Sequence, residues 1–131
     1  MLIALLFFLN KGRAADSGVE FFEKKIRPIL LDNCYQCHSQ ENKIKGDLRL
    51  DWKGGWLTGG KSGPPIIPGQ VGKSLLIQAV RHTHSDIKMP PKKKLSQGQI
   101  IDLERWIAMG APDPRASETI SNEQKKLNLE A

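Results

Sequence analysis

The sequence has few cysteines, few aromatic residues and no apolar run long enough to cross a membrane. Its 2 cysteines offer no second pair at the spacing of a zinc finger. Aromatic residues make up 6% of the chain and are not interleaved with a basic stretch, so the net charge of +6 predicts no nucleic-acid partner. The apolar run from Leu2 to Leu9 is shorter than the roughly 20 residues of a transmembrane helix.

The first 15 residues have the pattern of a secretory signal. An apolar run that ends at Leu9 leads into the small residues Ala14 and Ala15, although no positive charge precedes the run. We therefore expect an exported protein of the periplasm, whose only contact with a membrane would be an uncleaved form of residues 1–15. The rest of the chain is expected to form one small domain over residues 16–114 and a polar tail or linker over residues 115–131.

Hydrophobic periodicity predicts a mainly helical domain. A helix is expected from Ser17 into the cysteine pair, with a kink at Pro28, because proline lacks an N–H and crowds the preceding turn. A short helix capped by Ser74 is expected. A longer one is expected after Ser96, where Gln99 three residues on completes a capping box.

The segment between the first two predicted helices has a different composition. GDLRLDW alternates Leu48, Leu50 and Trp52, and this pattern predicts a short strand. GGWLTGGKSGPPIIPG, residues 54–69, is dense in glycine and proline and predicts a long ordered loop rather than a regular element. A small, loop-rich chain with few aromatic residues forms only a small hydrophobic core of its own. A bound cofactor is one candidate for completing that core.

The stretch NCYQCHS contains both cysteines, with a histidine directly behind the second. Two thiols can add to the two vinyl groups of haem and form thioether links, while the histidine gives its imidazole to the iron. Cys34, Cys37 and His38 have this Cys-x-x-Cys-His spacing, which is a strong motif for c-type haem attachment. The sequence therefore predicts one covalent haem c on Cys34 and Cys37, with His38 as an axial ligand of the iron.

Three other interpretations of the cysteine pair are open. A zinc site would draw its four ligands from the two cysteines and three histidines, but Cys37 and His38 are adjacent and cannot easily face one small ion. A redox dithiol would stand at a helix start after a strand, whereas this pair follows a predicted helix. A structural disulfide between Cys34 and Cys37 would close a very short loop and stabilise the protein little.

A c-type haem usually takes a second axial ligand, often methionine. Met89 lies in KMPP, where two prolines stiffen a loop between helices, and it is the candidate. Met109 lies at the end of a predicted helix and is expected to be a packing residue. His82 or His84 would be the competing ligand, and ligation by two histidines would lower the reduction potential.

Several motifs in a fixed order resemble the planctomycete-type cytochrome c domain. They are FFEKKIRPILLDNCYQCHS, GDLRLDW, the glycine-rich segment that ends in PG, SLL, KMPP with the following KLS, and LERWIAMGAPDPR. The resemblance covers residues 19–115 and implies a class I cytochrome c fold, in which the two long helices pack across each other beside the haem. It also implies haem attachment at Cys34 and Cys37, with His38 as proximal and Met89 as distal ligand. The family's haem domain usually precedes larger domains, so the resemblance leaves the partner and pathway open.

These observations predict a cytochrome c-like domain that transfers single electrons and is not an enzyme, because His38 and Met89 would occupy both axial positions. If Met89 did not bind, a five-coordinate or bis-His haem would be a peroxidase or gas sensor. Without haem, the chain would be an interaction module with a disulfide between Cys34 and Cys37.

Two further groups of residues have candidate roles. Lys88 and the lysines at 92–94 surround the KMPP sequence and would form a basic rim that attracts an acidic redox partner. Trp52, Trp56 and Arg49 carry N–H donors that could bond to haem propionates. Ordinary core and surface positions are the alternative for these three side chains.

Overall fold

The structure, a computed structural model, describes residues 17–116. Apart from two isolated β-bridges, the regular secondary structure in this range is helical: α1 over residues 17–33, α2 (Lys53–Thr58), α3 (Leu75–Val80) and α4 (Gln97–Ala108), with a 3₁₀ turn at Lys45–Asp47. The mainly α prediction is confirmed for these residues. The signal-like residues 1–15 lie outside the described part of the chain, and so does the predicted tail of residues 115–131 except for Arg115 and Ala116. No helix between residues 17 and 116 is long and apolar enough to cross a membrane.

Helix α1 changes its winding next to the predicted kink. It is α-helical over residues 17–21, forms a π-helical turn at Phe22–Ile26 and is α-helical again over Arg27–Asn33. Pro28 lies in the first turn of the second α-helical part, where a missing N–H is tolerated. In a regular α-helix the Pro28 ring would crowd the Lys24 carbonyl. Lys24 lies in the π-helical turn, which is wider than an α-helical turn. The predicted irregularity is confirmed, and the helix continues through it.

Aromatic rings join helices α1, α2 and α4 in the core. The ring centroids of Phe22 and Trp106 are 5.8 Å apart, and the Trp56 ring meets Trp106 edge-on at 6.1 Å. Such pairs contribute about 0.5–1.5 kcal/mol beyond their buried area. The first and last helices therefore pack together, as the class I fold implies. Helix α4 buries four apolar residues of one face, Ile100, Leu103, Trp106 and Ile107.

The strand predicted at GDLRLDW is wrong. Leu48 has extended backbone angles (φ −102°, ψ 129°), but residues 48–50 form no ladder with a neighbouring strand. Their backbone groups bond to His38 instead: the Leu48 carbonyl lies 3.2 Å from a ring nitrogen, and the Leu50 N–H donates to the His38 carbonyl at 2.8 Å. The alternating leucines therefore belong to an extended segment that covers the cysteine motif.

The first part of the predicted glycine-rich loop is helical, because residues 54–58 belong to α2. A Cβ atom on Gly55 would lie 2.5 Å from the Arg49 carbonyl oxygen, so glycine lets the helix approach the preceding segment. Gly59 follows with φ 77°, a conformation that favours glycine, and ends α2. The glycine-rich pattern predicts a loop at residue 55, whereas glycine there permits close packing of α2.

Two serines precede helices, as predicted, but they have different roles. At α4, Ser96 Oγ accepts from the Gln99 N–H at 3.2 Å and Gln99 Oε1 accepts from the Ser96 N–H at 3.0 Å, which confirms the capping box. At α3, the buried Ser74 Oγ accepts from the Ile67 N–H at 3.0 Å and donates to the Gln70 carbonyl at 2.8 Å. The predicted side-chain cap is therefore wrong, because the Ser74 hydroxyl fixes the loop before α3 and makes no cap hydrogen bond to the helix.

A buried ion pair joins the end of the domain to α2. Arg115 Nε and Nη2 donate to the two carboxylate oxygens of Asp113 at 2.9 and 2.7 Å, and the Arg115 and Asp113 side chains are 8% and 0% exposed. Trp56 Nε1–H also donates to Asp113, at 3.0 Å. Burial raises the pKa of Asp113, but the hydrogen bonds from Arg115 and Trp56 outweigh it and hold the pKa below its ordinary value. The carboxylate is therefore charged at neutral pH.

Candidate functional site

The cysteine motif forms a tight turn directly after α1. The N–H of Cys34 donates to the Leu30 carbonyl at 2.9 Å, which continues the helical pattern. The N–H groups of Cys37 and His38 both donate to the Cys34 carbonyl, at 3.2 and 3.0 Å. One carbonyl thus fixes the second cysteine and the histidine relative to the first cysteine.

The His38 side chain is held by the backbone of the extended segment. The residue is 8% exposed, and its Nδ1 lies 3.2 Å from the Leu48 carbonyl oxygen. Because a carbonyl can only accept, the hydrogen belongs to Nδ1, and the lone pair of the neutral imidazole is then on Nε2. A backbone carbonyl on one ring nitrogen is the usual arrangement of a metal-ligating histidine. The His38 imidazole is therefore oriented to coordinate through Nε2.

Cys34, Cys37, His38 and Met89 all line one cavity. The space between its walls is about 910 Å³ when its open mouth is included. The described residues that line the cavity include no aspartate or glutamate, and most are apolar. They include Leu48, Leu50, Leu76 and Val80. A flat, largely apolar cofactor with an iron centre fits this lining.

Met89 reaches the cavity because the loop that carries it returns to the end of α3. The Ala79 carbonyl accepts from the His82 N–H at 3.1 Å, where the loop begins, and from the Met89 N–H at 3.0 Å, where it ends. Met109, in contrast, is 47% exposed just after α4 and does not line the cavity. The structure therefore brings Met89, and not Met109, to the same cavity as His38.

The other two histidines do not line this cavity. His84 Nδ1 accepts from the N–H groups of Asp86 and Ile87, both at 3.0 Å, and so closes a local turn. His82 has a positive φ of 58° at the start of the loop. Neither histidine is brought together with His38 and the cysteines.

The alternative uses of the cysteines find little support in the site. Burial, with a smaller contribution from the neighbouring Cys37 thiol, raises the pKa of Cys34 to about 12, whereas a reactive redox dithiol needs a lowered pKa. Between residues 17 and 116, no three His, Cys, Asp or Glu side chains come together in a group that could hold a bare metal ion. The zinc interpretation therefore lacks a ligand set in this part of the chain.

The residues considered for the haem propionates do not line the cavity. Trp56 donates to Asp113 in the core, and Arg49 binds the Asp51 carboxylate at 2.9 and 3.0 Å while its guanidinium lies 5.7 Å from the Trp52 ring centroid. The alternative of ordinary core and surface positions therefore applies to these side chains.

Sequence reasoning missed two features of the cavity. The Leu48 carbonyl orients His38, but it is a backbone group, so no side-chain motif could indicate it. Lys45 and Lys61 are the lysines among the described lining, and their two segments meet because the Lys61 N–H donates to the Gly46 carbonyl at 2.8 Å. That contact joins segments that are distant in sequence and has no local pattern.

Gly60 allows this contact, and we predict that alanine will disturb it. A Cβ atom on Gly60 would lie 2.3 Å from the Gly46 carbonyl oxygen and 3.0 Å from the Leu48 Cβ. Gly60→Ala must therefore displace the segment that orients His38, and we expect a loss of about 1–3 kcal/mol in the free energy of unfolding. Denaturant unfolding measures it, with Gly72→Ala as the control, because a Cβ there would contact nothing within 4 Å. Equal stability of the two variants would contradict the prediction.

One protein-family model matches the segment that contains these residues. Residues 34–93 match the family model described as planctomycete cytochrome C. The matched segment begins at the first cysteine of the motif and extends just past Met89. Searches of curated proteins and of solved structures found no match. The resemblance inferred from the ordered motifs is confirmed over residues 34–93, the part of the chain that this family model matches.

Proposed function

We propose that this chain binds one haem covalently through Cys34 and Cys37 and transfers single electrons, with His38 and Met89 as axial ligands. One observation carries the proposal: the His38 imidazole, oriented by the Leu48 carbonyl, lines the same apolar cavity as both cysteines and Met89. The family match supports a c-type cytochrome domain independently of this geometry.

The surrounding residues would set the environment of the cofactor. When bound, haem supplies an Fe(III)/Fe(II) couple. The hydrogen bond from His38 Nδ1 to the Leu48 carbonyl would keep Nε2 facing the cavity and raise the basicity of the imidazole. The apolar walls would exclude water, and a thioether ligand at Met89 would favour the reduced state. Because His38 and Met89 would fill both axial positions, no position remains for a substrate.

The location and the partner follow from the same proposal. Cytochrome c domains are typically extracytoplasmic, which agrees with the signal-like pattern of residues 1–15. Lys88 and the lysines at 92–94 are exposed beside Met89. We propose that they attract an acidic redox protein, an association that would weaken as salt is added.

Covalent haem is the first prediction to test. The protein would be exported from a host with c-haem maturation machinery, precipitated with acid acetone and assayed as a pyridine haemochrome. We expect the wild type to retain haem with a c-type spectrum, and the double variant Cys34→Ser, Cys37→Ser to lose all of it. Gln36→Ala is the matched control, because this exposed residue lies inside the motif and should not affect attachment.

A colourless wild-type protein would overturn the proposal if a reference cytochrome matures in the same host. The zinc and disulfide interpretations would then be measured directly, by metal analysis and by thiol titration of Cys34 and Cys37. Haem that is present but extracted by acid acetone would instead indicate a non-covalent haem protein.

A further inference from the structure

Arg115 joins four separate parts of the domain. Besides its bonds to Asp113, its Nη1 donates to the Tyr35 hydroxyl and to the Leu50 carbonyl, both at 2.7 Å. Its guanidinium carbon lies 4.9 Å from the Phe22 ring centroid in α1. Its carbonyl accepts from the Lys53 N–H at 3.0 Å at the start of α2. A side chain that is 8% exposed thus connects the end of the domain to its first half.

Two of these bonds lead directly to the haem motif. Tyr35 lies between the two cysteines, so its hydroxyl anchors the turn that would carry the haem. Leu50 donates its N–H to the His38 carbonyl, while Leu48 in the same segment accepts from the His38 ring. The segment therefore contacts His38 at both its backbone and its imidazole, and Arg115 holds that segment.

We propose that Arg115 is a positioning residue for His38, which it orients through Tyr35 and Leu50. The proposal rests on the proposed function and goes beyond it, because it makes the junction after α4 a determinant of the haem potential. When Arg115 is in place, the carbonyl of Leu48 is held against Nδ1 and the imidazole is a strong electron donor. When the anchor is weakened, this hydrogen bond lengthens, the imidazole donates less, and the oxidised iron is less stabilised. The midpoint potential then rises.

Two variants isolate this effect from a change of charge. Arg115→Lys keeps the positive charge beside Asp113 but cannot reproduce the forked contacts with Tyr35 and Leu50. Tyr35→Phe removes one hydroxyl and keeps the ring, so it remains informative if Arg115→Lys folds poorly. Arg105→Lys is the matched control, because Arg105 is exposed on α4 and packs over Phe21 at 5.8 Å, away from the motif.

The measurements are the midpoint potential of the haem-loaded protein and the exchange rate of the His38 Nδ1 hydrogen by nuclear magnetic resonance. For Arg115→Lys and for Tyr35→Phe we expect a positive shift of the potential and a several-fold faster exchange, with the haem fully retained. Arg105→Lys should leave both values at those of the wild type.

Each other outcome overturns the proposal in a recognisable way. If both variants retain haem and match the wild type in potential and exchange, Arg115 only stabilises the fold. A negative shift of the potential in both variants would contradict the proposed direction of the effect on His38. A wild type without covalent haem would refute the proposed function itself, before any variant is compared.

Discussion

Replacing Arg115 by methionine is expected to lower the free energy of unfolding by about 3–5 kcal/mol, the usual cost of removing one member of a buried ion pair. The substitution leaves the Asp113 carboxylate, which is 0% exposed, without its cationic partner. It also leaves the Leu50 carbonyl and the Tyr35 hydroxyl without their donor. Because small domains are stable by only about 5–15 kcal/mol, this is a large share of the total. Denaturant unfolding followed by circular dichroism measures it.

Two comparisons identify the buried charge as the cause. Arg27→Met removes an exposed pair with Glu23, whose side chains are 41% and 42% exposed, and should cost no more than about 1 kcal/mol. The double variant Asp113→Asn, Arg115→Met should be more stable than Arg115→Met alone, because it contains no unpaired buried carboxylate. A loss at Arg115 no larger than that at Arg27 would contradict the interpretation.

The ion pair between Arg115 and Asp113 also predicts how the free energy of unfolding depends on pH. The pKa of Asp113 is held below its ordinary value. The pKa of Asp51 is lowered as well: burial raises it, but the hydrogen bonds from Arg49 and Gln40 outweigh that effect. As pH falls, the unfolded chain therefore binds protons first, near the ordinary aspartate value of about 3.9. Stability should be fully present above that value and decline as pH falls through the lower folded values. Asp113→Asn should make this decline less steep.

Met89→Ala is expected to change the ligand chemistry of the haem-loaded protein completely. If Met89 is the distal ligand, its removal opens one coordination position, so the reduced protein should bind carbon monoxide readily whereas the wild type should not. The reduction potential should also fall, because a thioether ligand favours the reduced state. Optical spectra with and without carbon monoxide measure the first effect, and a redox titration measures the second.

Met109→Ala is the matched control for this experiment. Met109 is 47% exposed and does not line the cavity, so its variant should behave as the wild type. Wild-type protein that binds carbon monoxide as readily as Met89→Ala would favour the five-coordinate haem protein. A Met89→Ala variant that binds none would show that another residue is the distal ligand.

The part of the site that the sequence indicates is local. Cys34, Cys37 and His38 lie within five positions, and their spacing is the basis of the predicted haem attachment. The capping box and apolar face of α4 are local patterns in the same sense. Each depends on neighbours along the chain, whose relative positions the backbone itself determines.

The incorrect predictions concern contacts that no local sequence pattern describes. The leucines of GDLRLDW alternate as in a strand, but the segment bonds to the turn around His38. Gly55 has the composition of a loop, but it allows α2 to approach Arg49. Arg115 contacts Tyr35 and Leu50 across 80 and 65 residues of sequence, a relation that periodicity and capping rules do not address.

The loop that carries Met89 is attached to the end of α3 at both of its own ends. Carbonyls of the last helical turn, at Gln78 and Ala79, accept from the residues that open the loop, and Ala79 also accepts from Met89 at its end. The exposed tip at Ser85 lies between these fixed ends. Each doubling of loop length costs only about 0.6 kcal/mol in closure entropy, so the main cost of added residues at the tip would be the loss of the His84 bonds to Asp86 and Ile87. The tip is thus an insertion point, where a recognition peptide could be grafted beside the cavity.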